Sequence, residues 1–265
     1  MDSDSFTVDV ILSMFLVFVR VSAVFMTAPF FSHRAYPIQV RLYFALITSI
    51  ILFYVIPDQG ALISTSDGTV FLFTAIVKEA LVGFALGLVG QLVFAGIEMA
   101  GSLISLNTGL SFANMLDAAT QRQNPVLANI LTMVAIIVFL AIDGEKIYIT
   151  ALAKSYQIVP ANDHNVHLAG LYLLDVAKYL FVLGVQLTSP FMISIFLMDV
   201  SLAIFARIMP QANLMFIALP VKMGVGVAML MLILPYLPTV FDIMFQNMFQ
   251  FMEDMLWNIR PVIGP

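Results

Sequence analysis

Between Val70 and Gly101 the chain has no proline and only three charged side chains, Lys78, Glu79 and Glu98. A helix of that length, at ~1.5 Å per residue, outreaches the ~30 Å of a bilayer's hydrocarbon core. In lipid every backbone N–H and C=O must be paired within the protein, so a run this apolar is read as one long membrane helix. Further apolar runs lie at Val8–Phe31, Leu42–Ile56, Leu127–Ile142, Leu168–Arg207 and Leu214–Trp257. The 265 residues are 62% hydrophobic and 10% charged, with a mean hydropathy of +1.03. That length accommodates roughly six helical crossings with their connections. The expected fold class is all-α: a polytopic, membrane-associated helical protein.

Several function classes fall away on composition. A net charge of −5 supplies no basic patch for a nucleic acid. With no cysteine there is no disulfide, thiolate metal site or cysteine nucleophile. No Walker loop, dinucleotide fingerprint, zinc-protease helix or nucleophile elbow is present, so no catalytic residue and no cofactor is assigned. His164 and His167 stand three apart beside a polar loop and lack a third ligand, so no metal site is assigned either. The start, Met1-Asp2-Ser3-Asp4-Ser5, has no basic region of a signal peptide, and the first span is expected to remain attached.

One segment resists the pattern. Gly101–Asn124 is polar and glycine-broken, yet it carries Leu106, Leu110, Phe112, Met115 and Leu116. Its unpaired backbone groups cannot face lipid. It is either a hydrated connection between two spans or a half-apolar plug folded back into a cavity between helices.

The ionisable residues inside the apolar runs are the second anomaly. An arginine at the bilayer centre costs about 2.5–3.5 kcal/mol on insertion scales, so Arg20 is expected to face protein or water. Lys78, Glu79, Glu98 and Asp199 are grouped with it as buried, packing charges. The nineteen-residue interval between Glu79 and Glu98 is about five helical turns, which places both near one side. Gly83 and Gly87 form a small-xxx-small pair that permits close helix approach.

The last hundred residues read as a hairpin of two overlong helices around Ile208–Asn213, with kinks expected at Pro190, Pro220, Pro235 and Pro238. Arg207, Pro210, Gln211, Asn213 and Lys222 mark its tip, either as partner contacts or simply as turn-makers. Eleven of the 17 methionines lie between Met192 and Met255. Flexible methionines suit both an adaptable interface and ordinary core filling.

Phe18-Val19-Arg20-Val21 with Ala28-Pro29-Phe30-Phe31-Ser32 resembles the opening of the FliR family. That family also includes the matching export-apparatus component of virulence type III secretion systems. Lys78–Gly87, Ala100-Gly101 and above all Ala206-Arg207-Ile208-Met209-Pro210-Gln211-Ala212-Asn213, continuing to Leu219-Pro220-Val221-Lys222, are similar to that family. The sequence departs from it at Asp117-Ala118, where relatives often carry Asp-Pro, and at Gly144-Glu145, where they often carry Gly-His.

The resemblance implies a structural subunit of the flagellar type III export gate in the bacterial inner membrane, at the flagellar basal body. It implies FliP, FliQ and FlhB as partners and unfolded flagellar proteins as the exported substrates. It further implies a FliP-like part over residues 1–166, a FliQ-like hairpin over 167–265, and a central loop, about 102–123, that plugs the pore. A gate raised out of the bilayer plane would account for short spans and internal charges. The competing reading is a stand-alone proton- or ion-coupled transporter using Glu79, Glu98 and Asp199. The internal repeats common in that class are not evident here.

Overall fold

The computed structural model describes residues 3–29, 31, 37–55, 69–111, 126–160, 170–209 and 214–259. The described residues are helical almost throughout and contain no strand. In chain order the helices are α1 (Ser3–Thr27), α2 (Ile38–Val55), α3 (Thr69–Asn107), α4 (Val126–Ala141), α5 (Gly144–Ile158), α6 (Gly170–Ile208), α7 (Leu214–Ile233) and α8 (Leu237–Ile259). Among the described residues, five stretches are long and apolar enough to cross a membrane, with a sixth if α4 and α5 form one broken span. This is the all-α polytopic membrane architecture expected from the apolar runs.

The helix ends follow from local chemistry. α1 stops two residues before Pro29, whose ring cannot continue the ladder. The predicted long helix does not stop at Gly101 but runs on to Asn107. Gly101 is therefore a packing residue and not a breaker: a β-carbon there would meet the Ala128 backbone nitrogen at 2.7 Å. Polar side chains then close the helix from within. The Asn107 amide donates to the Leu103 carbonyl at 2.7 Å, and the Thr108 hydroxyl donates to the Ile104 carbonyl at 2.8 Å. Gly109, at φ 77°, takes the left-handed conformation that ends many helices.

Pro190 and Pro220 lie inside α6 and α7, whereas Pro235 and Pro238 sit where the second hairpin run breaks. There a single 3-10 turn, Leu234–Tyr236, separates α7 from α8. Two N–H donors lost within four residues are more than an α-helical ladder absorbs. Between α4 and α5 the chain turns at Asp143, whose φ of 58° is left-handed and whose carbonyl accepts the Lys146 N–H at 2.9 Å.

The chain forms two compact units, each assembled from separated segments. The first comprises Met1–Leu92, Asp143–Val176 and Phe245–Pro265. Its centre is α1 against α3 and α5, with Leu16, Val21, Val24, Val82, Val89, Tyr148 and Leu152 fully or almost fully buried. The second comprises Val93–Ile142 and Ala177–Met244. In it Phe94 meets Phe139 edge-on at 6.0 Å, and the Leu180 carbonyl lies 3.3 Å from where a β-carbon on Gly96 would be.

Candidate functional site

The first unit contains a buried polar knot that ties three helices together. α1 brings Arg20, α3 brings Lys78 and Glu79, and α5 brings Ser155 and Tyr156 with the carbonyls that follow it. Arg20 and Glu79 are both 0% exposed. The guanidinium grips the carboxylate with two parallel bonds, Nε to Oε2 at 2.5 Å and Nη2 to Oε1 at 2.8 Å. Its other amino group donates to the Ser155 hydroxyl at 2.9 Å, and Nη2 also donates to the Val159 carbonyl at 2.9 Å. The Tyr156 ring lies under the guanidinium at 4.0 Å, and its hydroxyl donates to the Val17 carbonyl at 3.3 Å. Lys78 donates to the Pro160 carbonyl at 2.5 Å, so α3 holds the end of α5 directly through Lys78 and, through Glu79, by way of Arg20.

A planar, always-charged fork suits this geometry, because four donated bonds and a π-face satisfy it without water. Glu79 has both oxygens engaged by one cation. The pair is neutral as a unit and presents no open carboxylate to a passing proton, which weighs against its use as a carrier's proton site.

α1 approaches α3 closely enough for these bonds because α3 is bare where they cross. A β-carbon on Gly83 would fall 2.8 Å from that of Ala23 and closer still to the Arg20 carbonyl oxygen. One turn on, a β-carbon on Gly87 would stand 2.7 Å from the Thr27 β-carbon and 3.0 Å from the Ala28 nitrogen. The small-xxx-small spacing is therefore the seam of α1 on α3.

The other charges grouped with Arg20 are placed differently. Glu98 is exposed, on another side of α3 from the buried Glu79. Nineteen residues at ~100° each leave the second carboxylate about 100° past five full turns, so the expected shared side does not form. Asp199 is not buried: its side chain is 46% exposed, and both its oxygens hold Lys222, at 2.7 and 2.9 Å. Lys222, placed among the hairpin-tip contacts from the sequence, is thus the partner of Asp199 across α6 and α7. Arg207 is exposed in the last turn of α6. Pro210, Gln211 and Asn213 lie outside the described residues, as do His164 and His167.

Of the five apolar residues of the central segment, two can be placed. Leu106 is 68% exposed in the last turn of α3, and Leu110 is half-buried in the turn after it. Phe112, Met115 and Leu116 lie outside the described residues. The stem below Leu106 is fixed within the second unit: a β-carbon on Gly226 would meet the Thr108 β-carbon at 2.8 Å, and one on Gly109 would touch the Leu219 side chain at 3.8 Å.

Sequence reasoning found Arg20 and Glu79 but not Ser155, Tyr156 or Val159.

The family of bacterial export proteins, family 1, matches residues 11–248, which include the knot, the glycine seam and most of the hairpin. This chain belongs to that export family. Among its relatives, the flagellar biosynthetic protein FliR of Bacillus subtilis (strain 168) is 28% identical over 97% of this chain and 98% of its own length. FliR of Escherichia coli (strain K12) is 30% identical over 90% of each. That of Caulobacter vibrioides (strain ATCC 19089 / CIP 103742 / CB 15) is 34% identical over 82% of this chain and 86% of its own. The export-family likeness thus runs nearly end to end, and the chain is a membrane-embedded member of the FliR family.

Proposed function

We propose that this chain is a non-enzymatic structural subunit of the flagellar type III export gate in the bacterial inner membrane, at the flagellar basal body. The observation that carries this reading is the near full-length likeness to FliR relatives. In it the chain assembles with FliP and FliQ subunits and with FlhB, and unfolded flagellar proteins pass through the pore. Residues 1–166 act as the FliP-like part and 167–265 as the FliQ-like hairpin. Residues 102–123 form the plug, in which Leu106, Leu110, Phe112, Met115 and Leu116 exclude water and ions until substrate displaces them. A stem packed by Thr108 closely against Gly226, with an exposed leucine just before it, supports this reading.

Co-purification from membranes tests assembly: two small membrane subunits are expected with the chain, and a chain that remains monomeric overturns the reading. Conductance tests the plug. Replacing Leu110, Phe112 and Met115 together with Gly is expected to leak ions through an assembled complex, and an assembled complex that stays tight overturns it.

A further inference from the structure

Within the second unit α3 is covered on two sides and open on a third. α6 lies on the side of Gly96 and Ala100. The Gly96 carbonyl oxygen is 3.0 Å from where a β-carbon on Gly184 would be, and the Thr188 hydroxyl donates to the Ala100 carbonyl at 3.5 Å. α4 lies on the side of Phe94 and Gly101, where Phe94 meets Phe139 and Gly101 meets the Ala128 backbone. At ~100° per residue, Glu98 stands roughly 160° around the helix from Gly96. It therefore faces away from α6, into the sector left bare. Ala95, Glu98 and Leu106 are exposed there, with Ser102 half-buried among them.

Glu98 has no counter-charge in its own unit. α4 has no charged residue, and α6 has none between Lys178 and Asp199. Around the open sector the two helices expose Ile130, Met133 and Ile137 from α4 and Phe181, Val182 and Val185 from α6, with the amides of Asn129 and Gln186. Among the described residues of the unit, Asp199 and Lys222 hold each other, and Lys178 and Asp242 are engaged with other groups. Arg207 is in the last turn of α6, about six turns and roughly 30 Å past Gly184. A carboxylate in an apolar stretch of a membrane helix is costly until a cation meets it.

The complement of this surface is a protein cation. Hydrocarbon would leave the carboxylate unpaired, and an anionic headgroup would be repelled by it. Ala95 and Ser102, one turn to either side, are small, so a second helix can come close to α3 and reach Glu98 with a long side chain. We infer that the Ala95–Glu98–Ser102 face is a seam between subunits, in which Glu98 pairs with a lysine or arginine on a helix of a neighbouring gate subunit. This rests on the gate assignment, which it deepens, and does not depend on the plug.

The test uses Glu98→Lys and Glu98→Gln in the full chain, alone and expressed with its neighbouring subunits. Glu98 holds no partner within its unit, so each variant purified alone is expected to melt at the temperature of the parent. In the complex Glu98→Lys sets two cations together and is expected to lower recovery of the assembled gate about tenfold or more, with Glu98→Gln intermediate. Changing one lysine or arginine of a neighbouring subunit to Glu is expected to restore the Glu98→Lys complex, which identifies the partner. A benzophenone amino acid at Ala95 is expected, on illumination, to join the chain to that same subunit. In a parent complex that assembles, three results each overturn the inference and leave the gate assignment standing: undiminished assembly of Glu98→Lys, failure of every such reversal to restore it, or adducts with lipid alone. A lowered melting temperature of the isolated Glu98→Gln chain places the partner within the chain and also overturns it. A parent chain that recruits no membrane subunit overturns both the seam and the gate.

Discussion

The carbonyl oxygen of Arg20 rests against Gly83 of α3, while the side chain of Arg20 reaches back one turn to grip Glu79. One residue of α1 thus joins the glycine seam to the buried ion pair. Shortening the distance between two helices and desolvating two charges are here the same event. A methyl group at Gly83 must push the α1 backbone away, which also stretches the Arg20–Glu79 bonds.

Gly83→Ala is therefore expected to destabilise the folded chain by about 1–3 kcal/mol, the usual range for overpacking a close contact. Gly224→Ala is the control. Nothing stands within 4 Å of a β-carbon there, and it lies inside α7. It should be neutral or gain up to about 1 kcal/mol from helix propensity. Melting temperatures of the two variants in detergent check the contrast, and equal values would remove the seam from the account.

Breaking the ion pair from one side is expected to be worse than removing it altogether. Arg20→Met leaves a carboxylate buried and unpaired, at about 3–5 kcal/mol, whereas Arg20→Met with Glu79→Leu leaves no charge to desolvate. Arg20→Lys keeps the charge but loses the fork, the Ser155 and Val159 bonds and the stacked Tyr156 ring, so it should behave like a loss. A double-mutant cycle on membrane-extracted protein reads the coupling, and additive effects would contradict it.

The turn at Asp143 gives a prediction separate from any charge. Its ion pair with Lys146 has side chains 61% and 68% exposed, so losing it matters little. Its φ of 58° matters more, because a β-branched side chain is strained there. Asp143→Asn and Asp143→Gly should keep the stability of the parent chain, and Asp143→Val should lose about 1–2 kcal/mol. The same melting assay decides it, with Asp143→Val equal to Asp143→Gly as the contrary outcome.

The helices were legible because lipid leaves an apolar chain few conformations, so runs of side chains mark them directly. Arg20 was legible for the same reason, since a charge in an apolar run demands an explanation. Its partners were not: Glu79 lies 59 residues on and Ser155 lies 135 residues on, and nothing local encodes that meeting. Gly101 was misread as an end because a glycine that breaks a helix and one that admits a neighbouring backbone look alike in sequence. Glu98 was paired with Glu79 by rounding a helical interval that does not close.

Asp199 and Lys222 offer the sharpest test of how α6 and α7 are matched. They stand nine residues before the end of α6 and eight after the start of α7, and they are joined by two bonds at 2.7 and 2.9 Å. Around them the helices expose the apolar side chains of Phe196, Leu197, Val200 and Val221. An isolated Lys222→Met should leave Asp199 facing an apolar environment and reduce insertion of the hairpin, as should Asp199→Leu alone. The double variant should insert at least as well as the parent, because the apolar pair needs no matched partner. Exchange of the two residues, Asp199→Lys with Lys222→Asp, should also insert, since antiparallel neighbours keep their spacing when the charges trade places. Protease resistance of the hairpin in isolated membranes measures each. A swap that fails while the apolar double succeeds would mean that the site requires the acid on α6 for a reason other than pairing.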